Sequence, residues 1–144
     1  MNPIEVLLVE DNTTDAELTI RALRENNFAN HIHHVEDGAE ALDFIFSKGK
    51  YENQKNGKPK LILLDLKMPK MGGIDVLKVL KSDETTKTIP IVILTSSTLD
   101  PDIQQCYQLG VNSYVVKPVG FDDFSKVVAT LGLYWLLTNE TGEM

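Results

Sequence analysis

Short aliphatic runs without polar alternation recur along the chain at 5–9 (EVLLV), 61–64 (LILL), 91–94 (IVIL) and 113–116 (SYVV), with a weaker one, IHHV, at 32–35. Runs of this length, rich in Val, Ile and Leu, read as strands buried on both faces, as in a parallel sheet. The 32–35 run is more polar and is expected nearer an edge. Helical spacing fills the intervals. Thr14 to Glu17 reads as a capping box, followed by Ala16, Ile20 and Leu23 on one face. A second helix opens at Asp37 and Gly38 and carries Ala41, Leu42 and Ile45, and a third follows the 69–73 loop with Val76, Leu77 and Leu80 toward the sheet. The fourth has Asp100 as N-cap and Pro101 at its first position, and stops at Gly110. The fifth runs from about Asp122 through Phe124, Val127, Val128 and Leu131. Right-handed crossovers join such units into an α/β fold, a doubly wound five-stranded parallel sheet flanked by five helices.

One segment lacks either period. Residues 47–60, SKGKYENQKNGKPK, are polar with Gly and Asn-Gly turn signals and read as a long surface loop; Lys48, Lys55, Lys58 and Lys60 gather there. The rest of the chain is acidic. A net charge of −7 excludes the basic stripe that nucleic-acid binding needs. No apolar stretch is long enough to span a membrane and no signal peptide is visible, so a cytoplasmic location without membrane contact is expected. The lone cysteine, Cys106, fits a reducing compartment and reads as a core thiol. His31, His33 and His34 read as solvated strand residues, since no matching ligand accompanies them. With 144 residues the chain suits a single domain, 1–144.

The chemistry lies at the ends of the aliphatic runs. Glu10 and Asp11 follow VLLV, Asp65 follows LILL, and Lys117 follows YVV. Strand carboxyl ends in a parallel sheet open onto a ligand crevice, so these residues are placed to meet. Clustered carboxylates repel one another unless a cation joins them, which points to a divalent metal with oxygen ligands and to an acidic phosphate site.

These residues carry a resemblance to response-regulator receiver domains, the phosphoacceptor half of two-component signalling. The matching pieces are VEDN at 9–12, LLDLKMP at 63–69, LTSS at 94–97 and YVVKP at 114–118, in order and each at a strand end. Asp65 to Thr95 spans 30 positions and Thr95 to Lys117 spans 22, as suits the family. Asp11 to Asp65 spans 54, longer than usual by about ten residues, which the 47–60 segment absorbs as an insertion.

The resemblance implies roles. Asp65 is the nucleophile that takes a phosphoryl group from a sensor kinase's phosphohistidine; Lys117 and the Thr95 hydroxyl meet the phosphoryl oxygens. Mg²⁺ (or Mn²⁺) is held by Asp11, Asp65 and the Lys67 backbone carbonyl, with Glu10 acting through water. Thr95 and Tyr114 form the switch pair, and a cis bond precedes Pro118. Lys67 and Ser97 occupy the positions that tune the acyl-phosphate lifetime. The chain is then a signalling receiver, catalysing only its own aspartyl phosphorylation and dephosphorylation. A haloacid dehalogenase-type phosphatase needs an acid where Lys67 stands, and a flavodoxin-like electron carrier needs a phosphate loop after the first strand; both are absent.

Only 27 residues follow Lys117, so no output domain is expected and signalling passes through contacts. The stretch LGLYWLLTNE, read as the end of the fifth helix, is more apolar than one buried stripe requires. Tyr134, Trp135 and Leu137 are its interface candidates, for a homodimer or a kinase contact; the other reading folds them over the domain's own core. Tail and insertion together most resemble the stand-alone receivers that partner phytochrome-type sensor histidine kinases. A phosphorelay intermediate handing its phosphoryl group to a further histidine is the alternative.

Overall fold

The computed structural model describes residues 4–54, 58–68, 70–96 and 101–133. Strands β1 (Val6–Val9), β2 (Ile32–Val35), β3 (Leu61–Asp65), β4 (Ile91–Thr95) and β5 (Ser113–Val116) alternate with helices α1 (Thr13–Glu25), α2 (Gly38–Ile45), α3 (Gly73–Ser82), α4 (Asp102–Gln108) and α5 (Phe121–Leu131). All strand pairings are parallel, in the order β2-β1-β3-β4-β5. The unbroken aliphatic runs are explained by this order, because β1, β3 and β4 are interior and covered on both faces. Leu7, Val9, Ile62, Leu64, Ile91 and Ile93 face α2, α3 and α4, whereas Val6, Leu8, Leu61, Leu63, Val92 and Leu94 face α1 and α5. Cys106 is fully buried in the first of these cores, as read from sequence. No helix among the described residues is long and apolar enough to cross a membrane.

Several local expectations need correction. The cap of α1 is Asn12, whose side chain accepts the Asp15 N–H at 2.9 Å, so Thr14 lies inside the helix. Pro101 itself caps α4, without a side-chain bond, and Asp100 lies outside the described residues. The fifth helix ends at Leu131: Gly132 takes φ +72, and its N–H and that of Leu133 return to Ala129 and Val128 carbonyls. This left-handed glycine cap separates the helix from the apolar stretch that follows. Tyr134, Trp135 and Leu137 lie outside the described residues.

The 47–60 insertion is not wholly a surface loop, for Gly49–Tyr51 forms a turn of 3₁₀ helix and Tyr51 is buried. The Tyr51 ring packs edge-on against His33 and Phe44, and His33 stacks on Phe44 with centroids 4.2 Å apart. Tyr51 donates its only hydroxyl proton to Glu40 at 2.9 Å, so His33 Nε2, 2.9 Å from the same oxygen, must be the donor there. Burial pushes the His33 ring below its ordinary pKa against the pull of Glu40. His33 is therefore a half-buried packing residue rather than a solvated one. His34 is also engaged, with Nε2 donating to the Glu10 carbonyl at 2.8 Å. Lys58 donates to the Ile45 carbonyl at 2.9 Å, and Lys50, a further lysine of the insertion, pairs with Glu40, so the two tie the insertion to α2.

Candidate functional site: an acidic crevice at the strand ends

Parallel pairing brings the ends of β1, β3, β4 and β5 level, and the residues just past them share one cavity of about 240 Å³. Its lining includes Glu10, Asp11, Asp65, Lys67, Thr95 and Lys117, so all the metal and phosphate candidates read from sequence are brought together. Glu10 is held by three hydrogen bonds to β2 and the α1 cap: its N–H donates to the Val35 carbonyl, its carbonyl accepts from His34, and its Oε2 accepts the Asn12 N–H at 3.2 Å. Asp65 ends β3 beside Leu94, and the Lys117 N–H bonds the Thr95 carbonyl at 2.7 Å, which fixes β5 against β4 at the rim. The Lys117–Pro118 peptide is cis. Tyr114 stands apart, in a groove between β5 and α5, with its ring edge-on to Tyr107 at 6.4 Å.

Carboxylate oxygens of Glu10, Asp11 and Asp65 lie within 4.8 Å of one another. Glu10 is fully buried and Asp65 nearly so. Burial, then the Glu10 charge, push the Asp65 carboxyl up to about 7, with Lys117 pulling the other way. A buried carboxyl so disfavoured as an anion is relieved by an added cation, and hard oxygen donors suit a small divalent one. The donor set fits a divalent metal.

Lys117 Nζ lies 2.9 Å from Glu10 Oε1, 3.2 Å from Asp15 Oδ2 and 3.6 Å from Asp65 Oδ2. Burial opposes its charge, but the Glu10 hydrogen bond and the Asp65 and Glu10 charges outweigh burial and hold the ammonium above its ordinary pKa. Asp15 is a site residue that the sequence reading missed. Its signal was present: it lies four positions after Asp11 and one helical turn into α1, on the face that the Asn12 cap turns toward the crevice.

A carboxylate cluster, a lysine and a hydroxyl residue meet at the strand ends of a doubly wound parallel sheet, an acidic crevice whose donors suit a divalent cation. Residues 6–129 match the family model described as response regulator receiver domain, and the chain belongs to that family. It is 39% identical over 140 residues to the probable methanogenesis regulatory protein FilR2 of Methanothrix harundinacea, covering 97% of this chain and 88% of the relative. It is 37% identical over 136 residues to response regulator Rcp1 of Synechocystis, covering 94% and 91%, and the Mn(2+)-bound form of Rcp1 superposes with a TM-score of 0.74. The bacteriophytochrome response regulator AtBRR superposes with a TM-score of 0.85 at 44% identity, covering 94% of this chain and 96% of that one. The protein is thus a two-component response-regulator receiver whose relatives include phytochrome response regulators.

Proposed function

We propose that Asp65 is the phosphoacceptor, receiving a phosphoryl group from the phosphohistidine of a sensor kinase of the phytochrome type, and that the chain signals through protein contacts. The observation that carries this reading is Asp65 at the end of β3, its carboxylate 3.6 Å from Lys117 and grouped with Glu10 and Asp11. In the transfer, an Asp65 oxygen attacks phosphorus, the P–N bond breaks, and its electron pair returns to the imidazole nitrogen. The Lys117 ammonium and the Thr95 hydroxyl take the phosphoryl oxygens, offsetting their negative charge. Asp11, Asp65 and the Lys67 carbonyl would hold Mg²⁺ or Mn²⁺, with Glu10 behind them. Such an ion supplies charge neutralisation for an anionic group approaching a carboxylate. The only chemistry in this reading is the protein's own phosphorylation and dephosphorylation, coupled to a Thr95–Tyr114 switch.

Treatment with a small acyl phosphate and Mg²⁺ should add one phosphoryl group to the Asp65 peptide in the mass spectrum; label elsewhere would reassign the acceptor. The phytochrome partnership rests on relatives such as AtBRR, a bacteriophytochrome response regulator, and phosphotransfer from a phytochrome kinase is its direct test. Those relatives are named regulators, which favours a regulator over a relay intermediate.

Two further outcomes follow from this reading. Asp11→Asn should weaken Mg²⁺ binding at least about tenfold, and more than Glu10→Gln, because Glu10 is already occupied by Lys117 and the Asn12 N–H. Calorimetric titration decides the order; the reverse order would exchange the two roles. The apolar stretch with Tyr134, Trp135 and Leu137 is proposed to join two copies or to meet the kinase. Trp135→Ala should shift the sedimentation of the protein toward monomer or weaken kinase binding, and a change in neither would return the stretch to the domain's own core.

A further inference from the structure

We infer that Asp15 is a positioning residue for Lys117, one that holds the ammonium at the crevice mouth until the phosphoryl group takes its place and so slows transfer to Asp65. The inference rests on Asp65 being the acceptor. An ammonium has three N–H donors, and three carboxylates face Lys117: Glu10 at 2.9 Å, Asp15 at 3.2 Å and Asp65 at 3.6 Å. Only Glu10 and Asp15 accept hydrogen bonds from the ammonium, with Asp65 just beyond reach, so moving Lys117 onto a phosphoryl oxygen at Asp65 draws it away from one of those two. Glu10 is a poor candidate, because its side chain is 0% exposed and a buried carboxylate without its cation is costly. The Asp15 side chain is 39% exposed, so water replaces its ion pair at low cost.

Asp15 also differs in kind from the other acids of the crevice. It is not among the three carboxylates close enough to share a cation, which are Glu10, Asp11 and Asp65. Its backbone is fixed in the first turn of α1 by the Asn12 cap at 2.9 Å, so its carboxylate is presented to Lys117 from a rigid position. There it adds a negative charge beside the path of an anionic phosphodonor. During transfer from an acyl phosphate, the bond from Asp65 oxygen to phosphorus forms and the bond to the departing carboxylate breaks, the electron pair leaving with the latter. Asp15 takes no part in either bond; it acts on the availability of Lys117.

The test compares the full chain with Asp15→Asn and Asp15→Glu. Acetyl phosphate with Mg²⁺ should phosphorylate the Asn variant about three- to tenfold faster than wild type, with a flatter dependence on salt. The Glu variant, which keeps the charge, should stay near the wild-type rate. Calorimetry should find Mg²⁺ affinity within about twofold of wild type in the Asn variant. Without any phosphodonor, an amine-reactive reagent should label Lys117, relative to Lys126 in the same digest, about two- to fivefold faster in the Asn variant. An Asn variant no faster than wild type, a Glu variant as fast as the Asn variant, or a tenfold loss of Mg²⁺ affinity would overturn the role. Unchanged Lys117 labelling would overturn it whether or not Asp65 is the acceptor. Wild type that takes up no label on Asp65, with Lys117 labelling still raised in Asp15→Asn, would instead remove the acceptor reading and leave the hold on Lys117 standing.

Discussion

Asp65→Asn is expected to end phosphoryl uptake and, in the presence of a chelator, to stabilise the protein above pH 7. The first outcome follows from chemistry: the amide is a poor nucleophile, and Glu10, the other strand-end carboxylate beside Lys117, is fully buried and already holds Lys117 and the Asn12 N–H. The second follows from the pKa. Asp65 is raised to about 7 in the folded protein, chiefly by burial and then by Glu10, whereas an unfolded aspartate ionises near its ordinary value. Between these values the folded state binds a proton that the unfolded state has released, so Asp65 makes stability fall as pH rises through that window. A shift of this size sets a ceiling of about 4 kcal/mol, and coupling with Glu10 and Lys117 reduces the expected gain to about 1–3 kcal/mol at pH 8. The gain should vanish by about pH 4. Thermal unfolding of both proteins across pH decides it, and equal melting temperatures at pH 8 would reject the electrostatic account. Added Mg²⁺ should raise the melting temperature of wild type more than that of the variant, since only wild type keeps all three carboxylates.

How much of this was legible in the sequence depended on whether a residue's role was local. The interior strands were plain because β1, β3 and β4 bury both faces, which leaves continuous aliphatic runs, and the polar character of IHHV marked β2 as an edge. The strand-end acids were plain for the same reason, since each follows a run directly. The α1 cap was not, because Asn12 and Thr14 are both capping residue types two positions apart, and only the bond from Asn12 to the Asp15 N–H selects between them. Tyr51 gave no periodic signal; its burial comes from His33 and Phe44, brought to it by the packing of β2 and α2. The same contact turned His33 from an apparently solvated residue into a packed one. For Asp15 the position in the first turn of α1 was readable, but its partner, a lysine 102 positions away, is brought to it only by the topology. At the other end of the chain Gly132 interrupts a pattern that apolar content would have carried on as helix.

Gly73→Ala is expected to be among the most destabilising single substitutions near the site, because the start of α3 lies directly on the backbone that carries Asp65. A Cβ at Gly73 would stand 2.4 Å from the Asp65 carbonyl oxygen and 2.9 Å from Leu66 Cα, both main-chain atoms with no rotamer to change. The Gly73 N–H also bonds the Leu66 carbonyl at 2.9 Å, so relieving the clash by moving α3 breaks that bond. Forced repacking of this kind costs about 2–4 kcal/mol, which lowers the melting temperature by roughly 5–15 °C in a domain of this size. Gly72→Ala is the control: its Cβ would meet only the Leu66 carbonyl oxygen at 3.3 Å, and a small shift absorbs it. Because the displaced atoms belong to Asp65 and Leu66, the Gly73 variant should also phosphorylate more slowly at temperatures where it remains folded. A melting temperature within about 2 °C of wild type would mean that the β3–α3 junction yields freely, and the close approach of α3 could not then be what fixes the acceptor carboxylate.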